Sequence, residues 1–251
     1  MKVFRFVVWV IIVADFISAG LPVCGVDVGE YNKAIEAYRD VLQGNIDYFC
    51  TEHYYAYSDD NWFNVIDGYT VTNAEEKICQ VEVIDFALID MDGDSMPEVI
   101  LKISFPHWDK IVLHYENGIV YGYYFGFRSM DYIKKDRTYG WSGGAGNWGF
   151  NNLQFSNGRY EEKILGCIDY PLFIINGEEV SQDLWDSFAN EQHQKEEIDW
   201  YEFNETNINK YLTTIPVVEA APKTGDFSVV FAVVGIIVAA VLLAGYRRKN
   251  I

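Results

Sequence analysis

Between residues 82 and 173 the apolar pattern runs with a period of two, and no other feature narrows the possible folds as much. Segments 82–89, 99–104, 111–115, 119–125, 131–135, 148–155 and 159–166 are rich in Val, Ile, Tyr, Phe and Trp, side chains that suit a pleated, half-buried surface. Asn117-Gly118 and Asn157-Gly158 stand between successive segments and tolerate the left-handed backbone that two-residue hairpin turns require. The pattern predicts an antiparallel β meander whose strand order follows the chain. On either side the period lengthens. Residues 30–43 set Ala34, Ile35, Ala37, Tyr38, Val41 and Leu42 at helical spacing, and 182–194 does the same with Leu184, Trp185, Phe188 and Ala189 behind Ser181 as N-cap. A short helix is expected over 205–212, and mixed loop and helix over 46–80. The expected fold is α+β, an antiparallel meander flanked by N- and C-terminal helices, with a C-terminal transmembrane helix added.

Inside the alternating region lies an acidic turn, Asp90-Met91-Asp92-Gly93-Asp94-Ser95-Met96-Pro97-Glu98. Asp90, Asp92, Asp94 and Glu98 offer oxygens at relative positions 1, 3, 5 and 9, and Met96 at position 7 offers a backbone carbonyl. A hard cation such as Ca²⁺ takes six to eight oxygens of this type. Four carboxylates within nine residues repel one another, a cost that a bound cation removes. An EF-hand would need Gly at position 6 and an acidic ligand at position 12, where Ser95 and Leu101 stand. The expected role of the ion is structural, closing a hairpin. Zinc is not indicated, because the sequence has no CxxC or HExxH motif and its four His are scattered.

The two ends read differently from the middle. Residues 1–25 have the form of a secretory signal, with Lys2 and Arg5, an apolar core and Ile17-Ser18-Ala19 as a cleavage site; Cys24 offers a lipoprotein alternative. Residues 227–246 form an uncharged apolar run followed by Arg247, Arg248 and Lys249. Twenty residues at helical rise span about 30 Å of hydrocarbon, and the basic cluster places the C-terminus in the cytoplasm. The expected organisation is a signal peptide (1–25), an extracellular α+β domain (26–212), a linker (213–226), a membrane helix (227–246) and a cytoplasmic tail (247–251). Leaving out six basic and two acidic residues of the ends reduces 19 basic and 37 acidic residues to 13 and 35, so the middle carries about −22. Such a surface repels nucleic acid. With Cys24 removed, one disulfide and one thiol are expected, with Cys50–Cys79 the favoured pair.

Three resemblances follow from these residues. The 1-3-5-7-9 spacing resembles the calcium hairpin loops of integrin-type (FG-GAP, VCBS) propeller repeats, although Ser95 and Glu98 replace their usual Gly and Asp. Over 86–101 the chain resembles a set of clostridial-type surface proteins and lipoproteins sharing Ala-Leu-x-Asp-x-(Asp/Asn)-Gly-Asp-Gly-x-Pro-Glu-Leu, which implies the calcium hairpin and adds no substrate. Pro222, Lys223, Thr224 and Gly225, ahead of an apolar span and a basic tail, resemble the LPxTG-type sorting signal of Gram-positive cell-wall proteins, with Ala221 in place of its Leu. That likeness implies cleavage between Thr224 and Gly225 by a sortase and linkage to peptidoglycan.

Two further motifs overlap. Gly140-Trp141-Ser142-Gly143-Gly144 matches G-x-S-x-G, with Asp169 or Asp183 and then His193 later in the chain, the order of a serine hydrolase. The preceding Lys134-Lys135-Asp136-Arg137 is not a buried strand, and Gly146-Asn147-Trp148-Gly149 does not begin a helix. The G-x-G-x-x-G of 144–149 likewise lacks its strand–helix context. The stretch 140–149 is instead expected to be a glycine-rich loop between strands, with Trp141 and Trp148 as candidates for stacking on a ligand, one of them buried and the other exposed. The functional expectation is a secreted, wall- or membrane-anchored, non-enzymatic module binding glycan or protein, with Ca²⁺ as cofactor; the alternative is an extracellular hydrolase using Ser142, His193 and Asp169.

Overall fold

The structure is a computed structural model that describes residues 27–50, 62–66, 69–72, 78–104 and 109–216. The expected signal peptide, the sorting motif at Pro222–Gly225, the membrane helix over 227–246 and the cytoplasmic tail lie outside these residues. So does the side chain of Cys79, and with it the Cys50–Cys79 pair. Among the described residues no helix is long and apolar enough to cross a membrane.

Helix α1 (Val28–Leu42) opens the described chain. Its N-terminal amides are met by Asp27, whose carboxylate accepts from Gly29 N at 2.8 Å and Glu30 N at 3.2 Å. One stripe of the helix, Ala34, Ile35, Tyr38, Val41 and Leu42, is buried. The stripe packs on a seven-stranded sheet through a core that includes Phe86, Val99, Leu101, Ile111 and Leu113. Helix α3 (Glu205–Tyr211) adds Ile208, and Leu212 beyond it, to the same core.

The seven strands are β1 (Tyr48–Cys50), β2 (Trp62–Phe63), β5 (Val83–Ile89), β6 (Glu98–Ile103), β7 (Lys110–Glu116), β8 (Ile119–Phe125) and β14 (Tyr201–Glu202). They lie in the order β14-β5-β6-β7-β8-β1-β2. Neighbours are antiparallel except β1 and β8. A separate hairpin joins β3 (Tyr69–Thr72) to β4 (Ile78–Val81). Region 46–80, expected as mixed loop and helix, therefore contributes strands.

The expected single meander is two sheets. A second, five-stranded antiparallel sheet runs β13-β12-β11-β10-β9, formed by β9 (Tyr139–Gly144), β10 (Asn147–Ser156), β11 (Arg159–Asp169), β12 (Leu172–Ile175) and β13 (Glu178–Glu179). Strand order follows chain order within 83–125 and again within 139–179, but not across the break. The segment expected as a strand over 131–135 forms none, and makes only isolated bridges, Asp131 to Gly140 and Lys134 to Glu197. Three side-chain-bearing residues of the connecting stretch, Arg128, Tyr132 and Arg137, take positive φ of 63°, 50° and 79°, which turns the backbone out of any ladder. Met130 and Ile133 still bury their side chains.

The layers explain why β6 reads as nearly continuous apolar sequence. Val99, Leu101 and Ile103 face the helices, while Ile100 joins Ala87, Val112, Tyr123 and Phe125 in a core shared with Tyr139 and Leu153 of the second sheet. Both faces of the strand are covered, as in buried sheets generally. The outer face of the second sheet packs on helix α2 (Gln182–Gln194) through Phe150, Trp185 and Ala189. As expected, Ser181 caps α2, its hydroxyl accepting from Leu184 N at 3.4 Å. The order of layers is helices, sheet, sheet, helix.

Gly122 shows how tightly β1 and β8 pack. A Cβ built there would lie 2.3 Å from the Tyr48 ring, and Tyr48 is 1% exposed. Gly122→Ala must move that ring, and the expected loss of stability is about 1–3 kcal/mol in urea unfolding.

Candidate metal centre

The acidic turn joins β5 to β6, whose last ladder pair is Ile89 and Glu98. Its backbone is folded onto its own carboxylates. Asp90 Oδ1 accepts from Gly93 N at 2.5 Å and Oδ2 from Ser95 N at 3.1 Å. Asp92 accepts from Asp94 N at 3.1 Å, and Asp94 from Met96 N at 2.6 Å. These are the local side-chain-to-amide turns that Asp favours. Gly93 and Ser95 have φ of 88° and 76°, so Ser95 holds the left-handed conformation that glycine would take there at no steric cost.

Two methionines fasten the turn to the two cores. Met91 is fully buried between the sheets, and Met96 packs into the helix-side core. Glu98 is fully buried at the floor. Its Oε2 accepts from Met91 N at 2.6 Å, and its Oε1 lies 3.0 Å from His114 Nδ1. Burial raises the Glu98 pKa to about 7, against the opposing pull of those two hydrogen bonds, and Asp92 adds to the rise.

Asp90, Asp92 and Glu98 each present a carboxylate oxygen within 4.8 Å of the other two, so this acidic trio could hold a metal ion. Two oxygens bound to one Ca²⁺ at 2.3–2.6 Å stand at most about 5 Å apart, and the trio falls within that limit. The donors are all hard oxygens, and carbonyls and water would complete the shell. Asp94 is not part of the trio. Its carboxylate is engaged by Met96 N, and burial, then Asp92 and Asp90, raise its pKa. Met96 is placed by its side chain.

The sequence reading missed His114 and Gln154. His114 on β7 becomes Glu98's neighbour only through the β6–β7 register, in which Val99 faces Leu113. Gln154 on β10 donates from Nε2 to the Asp92 carbonyl at 3.0 Å, a contact between sheets. Neither has a local motif. Arg137 also sits against the turn: a Cβ on Gly93 would lie 1.7 Å from its Nη1.

The stretch 140–149, expected as a loop, is most of β9, a tight turn at Ala145-Gly146 and the start of β10. Its outer edge is occupied, since Ser142 N donates to Arg128 O at 2.9 Å. The Ser142 hydroxyl donates to the Gly144 carbonyl at 3.4 Å. The His193 ring lies against Trp148 and Phe150, with centroids 6.1 and 5.3 Å apart, and Asp169 is exposed at the end of β11. Among the described residues no hydrogen bond joins Ser142, His193 and Asp169.

The ladder pairs Trp148 with Ser142 and Trp141 with Gly149, so the two indoles leave opposite faces of the sheet. They do not form one platform. Trp148 is edge-on to Trp185 at 5.2 Å, beneath α2, while Trp141 Nε1 donates to Asn151 Oδ1 at 3.0 Å. Both are half-buried, where one buried and one exposed ring were expected.

No protein-family model, curated protein or solved structure matches this chain.

The state of Glu98 gives the ion-free protein a pH dependence. A carboxyl raised to about 7 in the fold contributes stability that is fully present below its unfolded value, about 4.3. That contribution is lost as pH rises through about 7. Urea unfolding in EDTA is expected to give a lower midpoint at pH 8 than at pH 5.5, with a Glu98 contribution of about 2 kcal/mol. Glu98→Gln, which cannot ionise, should flatten that part of the profile.

Proposed function

We propose that the chain is an exported surface protein, anchored in the membrane or sorted to the cell wall, whose folded part is a non-enzymatic binding module stapled by Ca²⁺. The observation that carries the reading is Glu98, a fully buried carboxylate reaching back beneath the turn to stand with Asp90 and Asp92. Extracellular Ca²⁺ is near millimolar, so an extracellular-class site with Kd on the order of 10⁻⁴–10⁻³ M is occupied outside the cell. Export itself rests on the basic, apolar and small-residue pattern of 1–25. Anchoring rests on the apolar run of 227–246 and its basic tail.

Wall sorting by a sortase onto peptidoglycan rests on Pro222, Lys223, Thr224 and Gly225. The ligand proposed is a glycan or a protein, and Trp141 and Trp148, both half-buried, are the candidate aromatics for it. The net charge of −18 argues against nucleic acid as a partner. The geometry around Ser142 adds no support for a hydrolase.

Two measurements test the reading. With 2 mM Ca²⁺ and Kd near 10⁻⁴ M, linkage gives about 2 kcal/mol, so the melting temperature should rise by roughly 4–7 °C over EDTA; a flat response removes the calcium staple. Thr224→Ala should turn a wall-linked product into a detergent-extractable one, and equal extraction of both forms refutes sorting.

A further inference from the structure

The turn that carries the acidic trio lies where the two sheets meet, and the residues linking it to the second sheet form a continuous chain of contacts. Glu98 Oε1 is 3.0 Å from His114 Nδ1, and the His114 side chain is 8% exposed. Phe155 of β10 stacks on the His114 ring at 4.4 Å and 14°. Tyr123, from the first sheet, stacks on Phe155 in turn at 5.4 Å. Gln154, the residue before Phe155, donates to the Asp92 carbonyl within the turn.

We propose that His114 is a positioning residue of the cation site, and that the second sheet, through Phe155 and Gln154, holds the site in its binding geometry. The proposal rests on the cation reading above and adds what governs that site. With a cation at the trio, Glu98 is ionised and acts only as an acceptor, so His114 Nδ1 carries the hydrogen and donates it to Oε1. That bond fixes the carboxylate's rotation, as partners of metal-binding carboxylates do elsewhere. Phe155 covers the imidazole and restricts its tilt. Gln154 fixes the Asp92 backbone, and so the place from which the Asp92 side chain leaves it. Cation binding and sheet–sheet packing are then one linked equilibrium, and by reciprocity each strengthens the other.

A purely structural Glu98–His114 pair would lower stability when broken and leave cation affinity alone, which gives the test its readout. The full chain is titrated calorimetrically with calcium chloride, and the concentration giving half-saturation is compared among variants. His114→Ala should raise that concentration at least tenfold. His114→Gln, which retains an amide donor, should recover most of the loss, and Phe155→Leu should raise it several-fold. Phe188→Leu, which thins the core between α2 and the second sheet, should lower the melting temperature without moving the calcium midpoint. If His114→Ala and Phe155→Leu keep the unmodified midpoint, the positioning role is overturned while the cation site stands. If the unmodified chain shows no response to calcium, the cation reading fails and this proposal fails with it.

Discussion

A carboxylate with no solvent contact is the constraint on which this architecture turns. Taking an ionised group out of water costs several kcal/mol unless partners replace its hydration. Glu98 meets that demand with a backbone amide on one oxygen and an imidazole on the other, yet its pKa still stands near 7. Its partners come from three places in the chain: the turn itself, strand β7, and, behind the imidazole, strand β10. A cation beside Asp90 and Asp92 would supply the charge that those neutral dipoles do not. The repulsion among the turn's carboxylates and the desolvation of Glu98 would be relieved by the same ion.

The layers are what make such a site possible. Strands β5 to β7 are covered on one side by α1 and α3 and on the other by the second sheet, so the base of the β5–β6 hairpin, at Met91 and Glu98, is enclosed while Gly93, Asp94 and Ser95 at its tip stay exposed. Met91 and Met96 point into different cores from the same turn. Unbranched, adaptable side chains suit that task. The turn is thus tied to both layers before any ion is considered.

The helices and strands β5 to β8, β10 and β11 were legible because their signals are local. Ser181 and the spacing of Trp185, Phe188 and Ala189 placed α2 over 182–194, where it stands. The hairpin turns at Asn117-Gly118 and Asn157-Gly158 also fell where expected, with both asparagines at positive φ. The division into two sheets was not legible. Residues 131–135 carry apolar side chains that are indeed buried at Ile133, but the positive φ at Tyr132 and Arg137 has no glycine to announce it. Residues 140–149 failed in the opposite sense, their glycines suggesting a loop. There they accompany close strand packing, as at Gly149, where a Cβ would lie 2.3 Å from the Gly166 carbonyl.

By itself the sequence determined the acidic turn, the apolar strands around it and the capped helices, because oxygen spacing, periodicity and capping act within a few residues. Tertiary structure decided which carboxylates meet. Asp94, inside the sequence pattern, stays out of the trio, whereas Glu98, at the buried base of the turn, is part of it. Only the fold could set His114 beside Glu98 and Phe155 over His114, since strand register and sheet packing join residues that no spacing along the chain relates. The same register sent Trp141 and Trp148 to opposite faces. Adjacency in sequence is a statement about the backbone, and a binding geometry is a statement about side chains whose directions the sheet imposes.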